Sequence, residues 1–427
     1  MKKLLAVLGI SLAILIALVG YAYFAGSGFG GDKISSGTLS LGSDVDRELV
    51  LPTREAIEPV ASPAGIPTPV VVSEEVELKA DEPETLEPQK VSVTHSGYEY
   101  AYERLDDSDR ELYDAIYQAI VSYDENAILP TLDTGAIDRV FNAVLNDHPE
   151  IFYVTGYKYT QYSRGNVLKR IGFGASYSYS KEERDSIWRD LDAAASSIVA
   201  SVPGGDDYSR VKYVYDTIVN NTEYNLSSPD NQNIISVLLN HSSVCQGYAK
   251  TMQLILNRLG IPTTLVTGKV ISGEGHAWNL VKADGDWYYV DATWGDASYV
   301  FMEEDGSNLS VSGTNYDYLL VNGKDLFITH YPDMDYSLPE CESLTDNYFV
   351  REGLYFDGYN TDQLRNVFNN TINSGASYVK IKASDDNVYS DLRRELLDNQ
   401  HLFDYLNGTK QVRYSENAYT RTLTFWL

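Results

Sequence analysis

The chain has 427 residues, a net charge of −28 and a hydrophobic fraction of 43%. That length exceeds what one hydrophobic core usually organises, so two or three folded units are expected beside non-globular sequence. The acidity, with no basic patch to offset it, excludes nucleic acid as a partner because the phosphate backbone would be repelled. The two cysteines, Cys245 and Cys341, make no disulfide framework, and neither sits in a spacing that would hold zinc. Two free thiols are expected, since a bridge between them would consume the better nucleophile.

At the N-terminus Lys2 and Lys3 precede an uncharged run of 22 residues, 4–25. As a helix it would span about 33 Å, enough to cross a hydrocarbon core of about 30 Å. Lysines on the short flank predict a single-pass anchor in the cell membrane, N-terminus inside and body extracellular. The alternative is a signal peptide cleaved near Ala25 and a secreted body, but secretory apolar regions typically run about 7–15 residues. Gly26, Gly28 and Gly31 formally match GxGxxG, yet they follow a span rather than a strand and read as a flexible exit, not a dinucleotide site. Residues 26–95 read as a disordered stalk. Seven of the fourteen prolines lie between Pro52 and Pro88, and residues 44–87 carry twelve acids against three bases, so both stiffness and repulsion extend the segment.

Folded sequence is expected from residue 96. Ser108-x-x-Glu111 reads as a capping box before Leu112, Ala115, Ile116, Ala119 and Ile120 at helical spacing. A second helix fits residues 136–145, closed by Asp147-His148-Pro149. Strand-like stretches follow at 152–160 and 167–177. Ser180-x-x-Glu183 then caps a helix carrying Ile187, Leu191, Ala194, Ala195 and Ile198, and another helix fits 208–219. The alternating Tyr98, Tyr100 and Tyr102, with Tyr157 and Tyr159, suit either a carbohydrate surface or, more simply, half-buried aromatic strand faces. Beyond residue 344 the pattern is a small α+β unit: a strand at 348–355, a helix at 361–371, a strand at 378–381, a helix at 392–397, and a hairpin of 411–414 with 420–426.

The chemistry concentrates in two stretches. In Ser242-Ser243-Val244-Cys245-Gln246-Gly247-Tyr248-Ala249, the apolar positions Tyr248, Met252, Ile255, Leu256 and Leu259 form the stripe of a helix buried on one side, stopped by Gly260-Ile261-Pro262. Ser242 or Ser243 is placed to cap it, which puts Cys245 in the first turn. Unpaired N–H groups and the helix dipole favour an anion there, the setting of a thiolate nucleophile. On this feature alone a small buried cysteine fits equally well.

The second stretch runs from Gly275-His276-Ala277-Trp278-Asn279 through Ala283-Asp284-Gly285-Asp286 to Tyr289-Val290-Asp291-Ala292-Thr293-Trp294. Asp-Gly between two aromatic and β-branched runs is a strong hairpin signal. With Asp284-Gly285 as the two-residue turn, Lys282 pairs with Trp287 and Trp278 with Asp291, which puts His276 diagonal to Asp291 on one face. Thiol, imidazole and carboxylate then have the types of nucleophile, base and orienter, with the N–H of Cys245 as an oxyanion donor.

These blocks resemble the bacterial transglutaminase-like superfamily, specifically over about residues 205–300. The resemblance implies a papain-like α+β fold, a Cys-bearing helix packed on an antiparallel sheet, with catalytic positions Cys245, His276 and Asp291. Asp147-His148-Pro149-Glu150 and its flanking helices are similar to the N-terminal companion region of bacterial members. The expected domains are thus an anchor (1–25), the stalk (26–95), the companion region (96–180), a catalytic domain (181–340) and the C-terminal unit (345–427). No metal or other cofactor is expected, because no calcium-loop pattern is present. His148, His241 and His330 are assigned structural roles.

The implied reaction is attack of Cys245 on a carboxamide or peptide carbonyl, giving a thioester that water resolves in a peptidase or amidase and an amine in a cross-linking acyltransferase. Hydrolysis is favoured, since water is always available and no acceptor site is visible. The expected partner is a protein or peptide amide, including cell-wall peptides. A non-catalytic binding or scaffold module on the same fold is the competing class. The loss of a catalytic side chain would have signalled it, and all three positions are filled.

Overall fold

The computed structural model describes residues 34–42, 69–86, 88, 93–302 and 308–427. The run at 4–25 and the GxGxxG match fall outside these; among the described residues no helix is long and apolar enough to cross a membrane. The described chain forms two compact units, one built from Glu58–Tyr299 and Val311–Glu352, the other chiefly from Gly353–Leu427.

The first unit is a mixed α+β structure holding two four-stranded sheets. In one, the order is Asp286–Val290, Gly275–Ala283, Thr263–Val270 and His330–Pro332, antiparallel throughout. In the other, Val70–Glu77 runs parallel to Val154–Arg164, which pairs antiparallel with Val167–Tyr177, itself paired with Ala127–Ile128. The helices Asp107–Ser122, Thr134–Asp147, Lys181–Ser201, Asp207–Asn221 and Cys245–Arg258 accompany them. Companion and catalytic regions, expected as separate domains, share one core: Leu112, Phe141 and Leu191 belong to the same buried cluster as Tyr248, Met252 and Val290. Large apolar side chains each contribute about 1.5–3 kcal/mol when buried, so a shared cluster couples the stability of the two regions.

Several expectations are corrected in detail. The stalk holds two strands, Ile34–Ser40 against Gln411–Asn417 and Val70–Glu77 against Val154–Arg164. The β-branched run Val70-Val71-Val72 supplies strand propensity that the surrounding proline and acid content hides. The helix expected to start at a Ser108 box is capped instead by Asp106, whose carboxylate accepts from Asp109 N–H, whereas the Ser180–Glu183 box is present in both directions. Residues 98–102 form a turn leading into a short 3-10 helix rather than a strand, with Tyr102 stacked 3.8 Å over His95. Tyr157 is buried and packs 4.7 Å from Phe141, a core role rather than a binding face.

The second unit has a five-stranded sheet in the order Ile34–Ser40, Gln411–Asn417, Thr422–Trp426, Tyr378–Ala383, Tyr355–Phe356. Helices Thr361–Ser374 and Asp386–Arg393 accompany it, and Phe356, Phe368, Leu396 and Phe425 centre its core. The strand expected at 348–355 is mostly replaced by a helical turn, Tyr348–Arg351, because the Asn347 side chain accepts from Phe349 N–H at its start.

Candidate active site

The helix Cys245–Arg258 begins at the candidate nucleophile. Val244 is its N-cap residue and offers no side-chain bond. Ser243, one of the two serines expected as the cap, is engaged elsewhere: its hydroxyl lies 2.6 Å from Ser236 Oγ and 3.1 Å from the Asn231 carbonyl. Gly247 N–H turns back to the Val244 carbonyl at 3.0 Å, which leaves the N–H groups of Cys245 and Gln246 to serve a ligand anion. Gly247 is required by this close packing, since a Cβ there would stand 2.1 Å from Ser243 Oγ and 2.9 Å from the Asn231 carbonyl. The helix is fixed to the sheet by Asn279, whose Nδ2 donates to the Ala249 carbonyl at 2.9 Å. Cys245, Ala249, Leu265 and Ala277 form a small buried cluster at that contact, which puts the thiol beside the strand carrying His276.

The hairpin has the register the Asp-Gly turn dictates: Lys282 pairs with Trp287, Leu280 with Tyr289, and Asp284 and Gly285 both adopt positive φ, 48° and 100°. The ladder ends at Val290–Asn279, one residue short of Asp291. Asp291 N–H turns away to the Tyr318 carbonyl at 3.0 Å, and its side chain swings under His276. His276 Nε2–H donates to Asp291 Oδ2 at 2.8 Å, and both side chains are buried.

A fourth residue joins them. His330, on the strand His330–Pro332, donates from Nε2 to the same Asp291 Oδ2 at 3.1 Å. Its strand reaches the sheet because Gly268 faces it; a Cβ there would stand 2.2 Å from the Tyr331 carbonyl. The rings of Trp278 and Trp294 flank His330 at 5.0 and 4.5 Å. His330 was given a structural role from sequence, and the structure places it against the Asp291 carboxylate. Nothing in the local pattern of His330-Tyr331-Pro332 tells of a carboxylate contributed from just past the end of a strand far back in the chain. His148 and His241 differ from it: His148 pairs with Glu150 at 2.7 Å and stacks on Tyr117, and His241 sits exposed in a turn with φ 54°.

Asp291 is fully used. Oδ1 accepts from the N–H groups of Thr293 and Trp294, at 2.9 and 3.2 Å, and Oδ2 from the two imidazoles. A buried carboxylate is ordinarily pushed towards its neutral form, but His276 and His330 reverse this and hold Asp291 well below the usual range. Burial likewise works against a charged His276; Asp291 first, then Cys245, outweigh it and lift the imidazole to about 10. His330 goes the other way, lowered by its burial and by the charged His276 beside it. The protonation pattern follows: Asp291 ionised, His276 cationic, His330 neutral with Thr329 Oγ1–H donating to its Nδ1 at 2.9 Å. The Nδ1 of His276 is buried with no hydrogen-bond partner, and Cys245 is near enough to the ring to help raise it.

Among the described residues His276, Asp291 and His330 also form the group whose donor atoms, all within 4.8 Å, are spaced for a metal ion. Their mutual hydrogen bonds already occupy those atoms, so the arrangement needs no ion to balance it. Cys341 lies apart from this centre, free and buried, its thiol pushed up to about 12 by burial.

Comparison with known proteins defines the class of this region. Residues 196–292, ending one residue after Asp291, match the Transglutaminase-like superfamily, so the chain carries a transglutaminase-like domain with the α+β core described above. Over 105 residues, 21% of this chain, it is 29% identical to Kyphoscoliosis peptidase of Homo sapiens and of Mus musculus. The match spans only 16% of the length of those relatives. Among solved structures, a TGase overlaps 33% of this chain and 44% of its own at 17% identity, with a TM-score of 0.24. The periplasmic domain of TgpA from Pseudomonas aeruginosa overlaps 30% and 55% at 20% identity, with a TM-score of 0.21.

Proposed function

We propose that this protein is a thiol-dependent amide-bond enzyme of the transglutaminase-like and cysteine-peptidase class, in which Cys245 is the nucleophile, His276 the proton carrier and Asp291 its orienter. The observation that carries the reading is the buried His276–Asp291 contact of 2.8 Å, with the second ring nitrogen of His276 without a hydrogen-bond partner and Cys245 near enough to help raise the imidazole. A histidine held cationic stabilises a thiolate beside it. The thiolate attacks the amide carbonyl, the His276 Nδ1 proton passes to the leaving amine as the C–N bond breaks, and a thioester to Cys245 remains. The N–H of Cys245, at the first position of its helix, faces the developing oxyanion. Neutral His276 then takes a proton from water, which attacks the thioester and releases the acid. Hydrolysis is preferred to amine transfer, in keeping with the peptidase name of the curated relatives. The body is proposed to act outside a bacterial cell on a protein or peptide amide, anchored through residues 4–25.

The deciding experiment follows iodoacetamide alkylation of each cysteine by peptide mass spectrometry from pH 4 to 9. Cys245 should label rapidly at pH 5–6 and much more slowly once His276→Ala removes the imidazole, while Cys341 stays inert. A Cys245 that labels only near the ordinary thiol pKa of about 8.5 in both proteins would favour the non-catalytic module instead.

His330 acts as a positioning residue through Asp291. His330→Phe keeps the packing between the two tryptophans but removes one charge-assisted donor, an interaction of about 1.5–3 kcal/mol. Alkylation of Cys245 at pH 6 should fall about tenfold or more. Because Asp291 would hold its charge less well, the alkaline limb of the pH profile, set by His276 near 10, should move to lower pH. His330→Gln, whose Nε2 can reproduce the donor, should restore part of both. An unshifted limb would reduce His330 to packing.

A further inference from the structure

Beside the candidate active site the same unit holds a cavity of about 1080 Å³. Its wall includes Gln246, the residue after the nucleophile, and Leu265, which packs against Cys245. One helical turn beyond Gln246, on the same face, it also includes Lys250. The cavity therefore runs along the nucleophile helix, away from the thiol.

Lys250 is the anomaly in this wall. It is partly buried, and burial alone pulls its amine down to about 8, with no carboxylate contributing. No ion pair to it is found among the described residues, although the cavity wall carries five aspartates. Those acids are placed otherwise. Asp109 is taken by Arg139 at 2.6 Å, Asp106 caps a helix, and Asp230 accepts from Tyr179. Asp333 and Asp335 stand on the wall formed by the loop after His330. An ammonium partly screened from water, with no counter-ion beside it, favours a ligand that brings a negative group. The wall also carries Arg104 and Arg139, the latter paired with Asp109, so five aspartates against three cations leave it acidic and disfavour a polyanion.

We propose that this cavity is the substrate groove of the thiol site and that Lys250 receives a carboxylate carried by the substrate close to the scissile amide. This rests on Cys245 being the nucleophile, as proposed above. Lys250 lies five residues along the helix from Cys245, about 7.5 Å of axial rise and about 140° round the axis, a separation on the order of 10 Å that the length of the lysine side chain and about two residues of extended peptide together cover. The preferred substrate is thus a peptide amide with a single carboxylate, a Glu or Asp side chain or a free C-terminus, within one or two residues of the bond attacked. Elsewhere it is neutral or basic.

The test uses the full chain and two affinity labels that differ in one group, bromoacetyl-glycyl-glutamate amide and bromoacetyl-glycyl-glutamine amide. Their rates of alkylation at Cys245 are compared in wild type, Lys250→Met and Lys250→Arg. The ratio within each protein cancels any general change in thiol reactivity. The carboxylate label should react more than tenfold faster in wild type; the preference should vanish in Lys250→Met and persist in Lys250→Arg. A wild-type ratio near one, or one that Lys250→Met leaves unchanged, with both labels still on Cys245, overturns the groove assignment and spares the thiol site. If neither label modifies Cys245 above an ordinary thiol rate, the thiol-site reading falls and the groove with it.

Discussion

Asp291→Asn should abolish most of the thiol chemistry while leaving the protein folded. In wild type, Oδ1 accepts two backbone N–H groups and Oδ2 two imidazole N–H groups. Asparagine can satisfy the same four partners in one way only. Its carbonyl oxygen must take the Thr293 and Trp294 N–H groups, which turns its NH2 towards the two histidines. Both imidazoles then accept at Nε2 and carry their proton on Nδ1. His330 tolerates this by donating to Thr329. His276 does not, because its Nδ1–H now points at Cys245 and cannot take the thiol proton. The wrong tautomer in an intact triad typically reduces turnover by about 10⁴-fold, and amide turnover here should fall by about 10³–10⁴. Alkylation of Cys245 at pH 6 should drop on the order of ten- to a hundredfold, as the proposed pairing of Cys245 with His276 is lost.

The stability profile gives a second readout. His276 is raised in the folded state, so its contribution to stability is complete below its unfolded value of about 6.5 and is lost as pH rises through about 10. Asp291 is lowered, so its contribution is present above about 3.9 and is lost as pH falls through its folded value. In Asp291→Asn both dependences should weaken, and urea midpoints measured at pH 7 and pH 10 should converge. An Asn variant that keeps full labelling at pH 6 would remove Asp291 from the mechanism.

What the sequence made legible here was local. The Asp284-Gly285 turn has only one comfortable geometry, so it fixed the register from Lys282–Trp287 to Asn279–Val290 and brought His276 near Asp291. The stripe from Tyr248 to Leu259 placed Cys245 at a helix start for the same reason: periodicity is a property of neighbours. What escaped depends on distant partners. Asp291 leaves its ladder for the Tyr318 carbonyl, Ser243 abandons its capping role for Ser236 and Asn231, and His330 reaches Asp291 across the sheet. The strand Val70–Glu77 likewise needs Val154–Arg164 to exist, and its proline-rich flanks gave no hint of that partner. The Ser108 box failed through local competition, because Asp106 two residues earlier offers a stronger acceptor to the same turn.

Asp147→Ala should be among the most destabilising single changes outside the site. The Asp147-His148-Pro149-Glu150 segment closes the helix Thr134–Asp147, and the Asp147 side chain there is buried. Its carboxylate gathers three donors: Ala101 N–H at 2.9 Å on one oxygen, Tyr102 N–H at 2.9 Å and Tyr113 O–H at 3.2 Å on the other. It thereby ties the entry of the folded unit to two of its helices, one of which lines the cavity beside Lys250 with Asn142 and Asn146. Alanine leaves the Ala101 and Tyr113 donors buried without acceptors, at about 1–3 kcal/mol each, so unfolding free energy should drop by about 3–5 kcal/mol. Tyr113→Phe removes a donor rather than an acceptor and should cost only about 1 kcal/mol. Combined with Asp147→Ala it should lose about 1–2 kcal/mol less than the sum, because the stranded hydroxyl is gone. Burial lifts the Asp147 carboxyl to about 7 against those donors, so its folded form holds a proton more tightly than the unfolded chain. Its stabilising contribution is therefore full below about 4 and declines as pH rises through about 7. The gap between wild type and Asp147→Ala in urea denaturation should be wider at pH 5 than at pH 8. Strict additivity in the cycle, or a gap that widens with pH, would show that Asp147 is held by something other than these three donors.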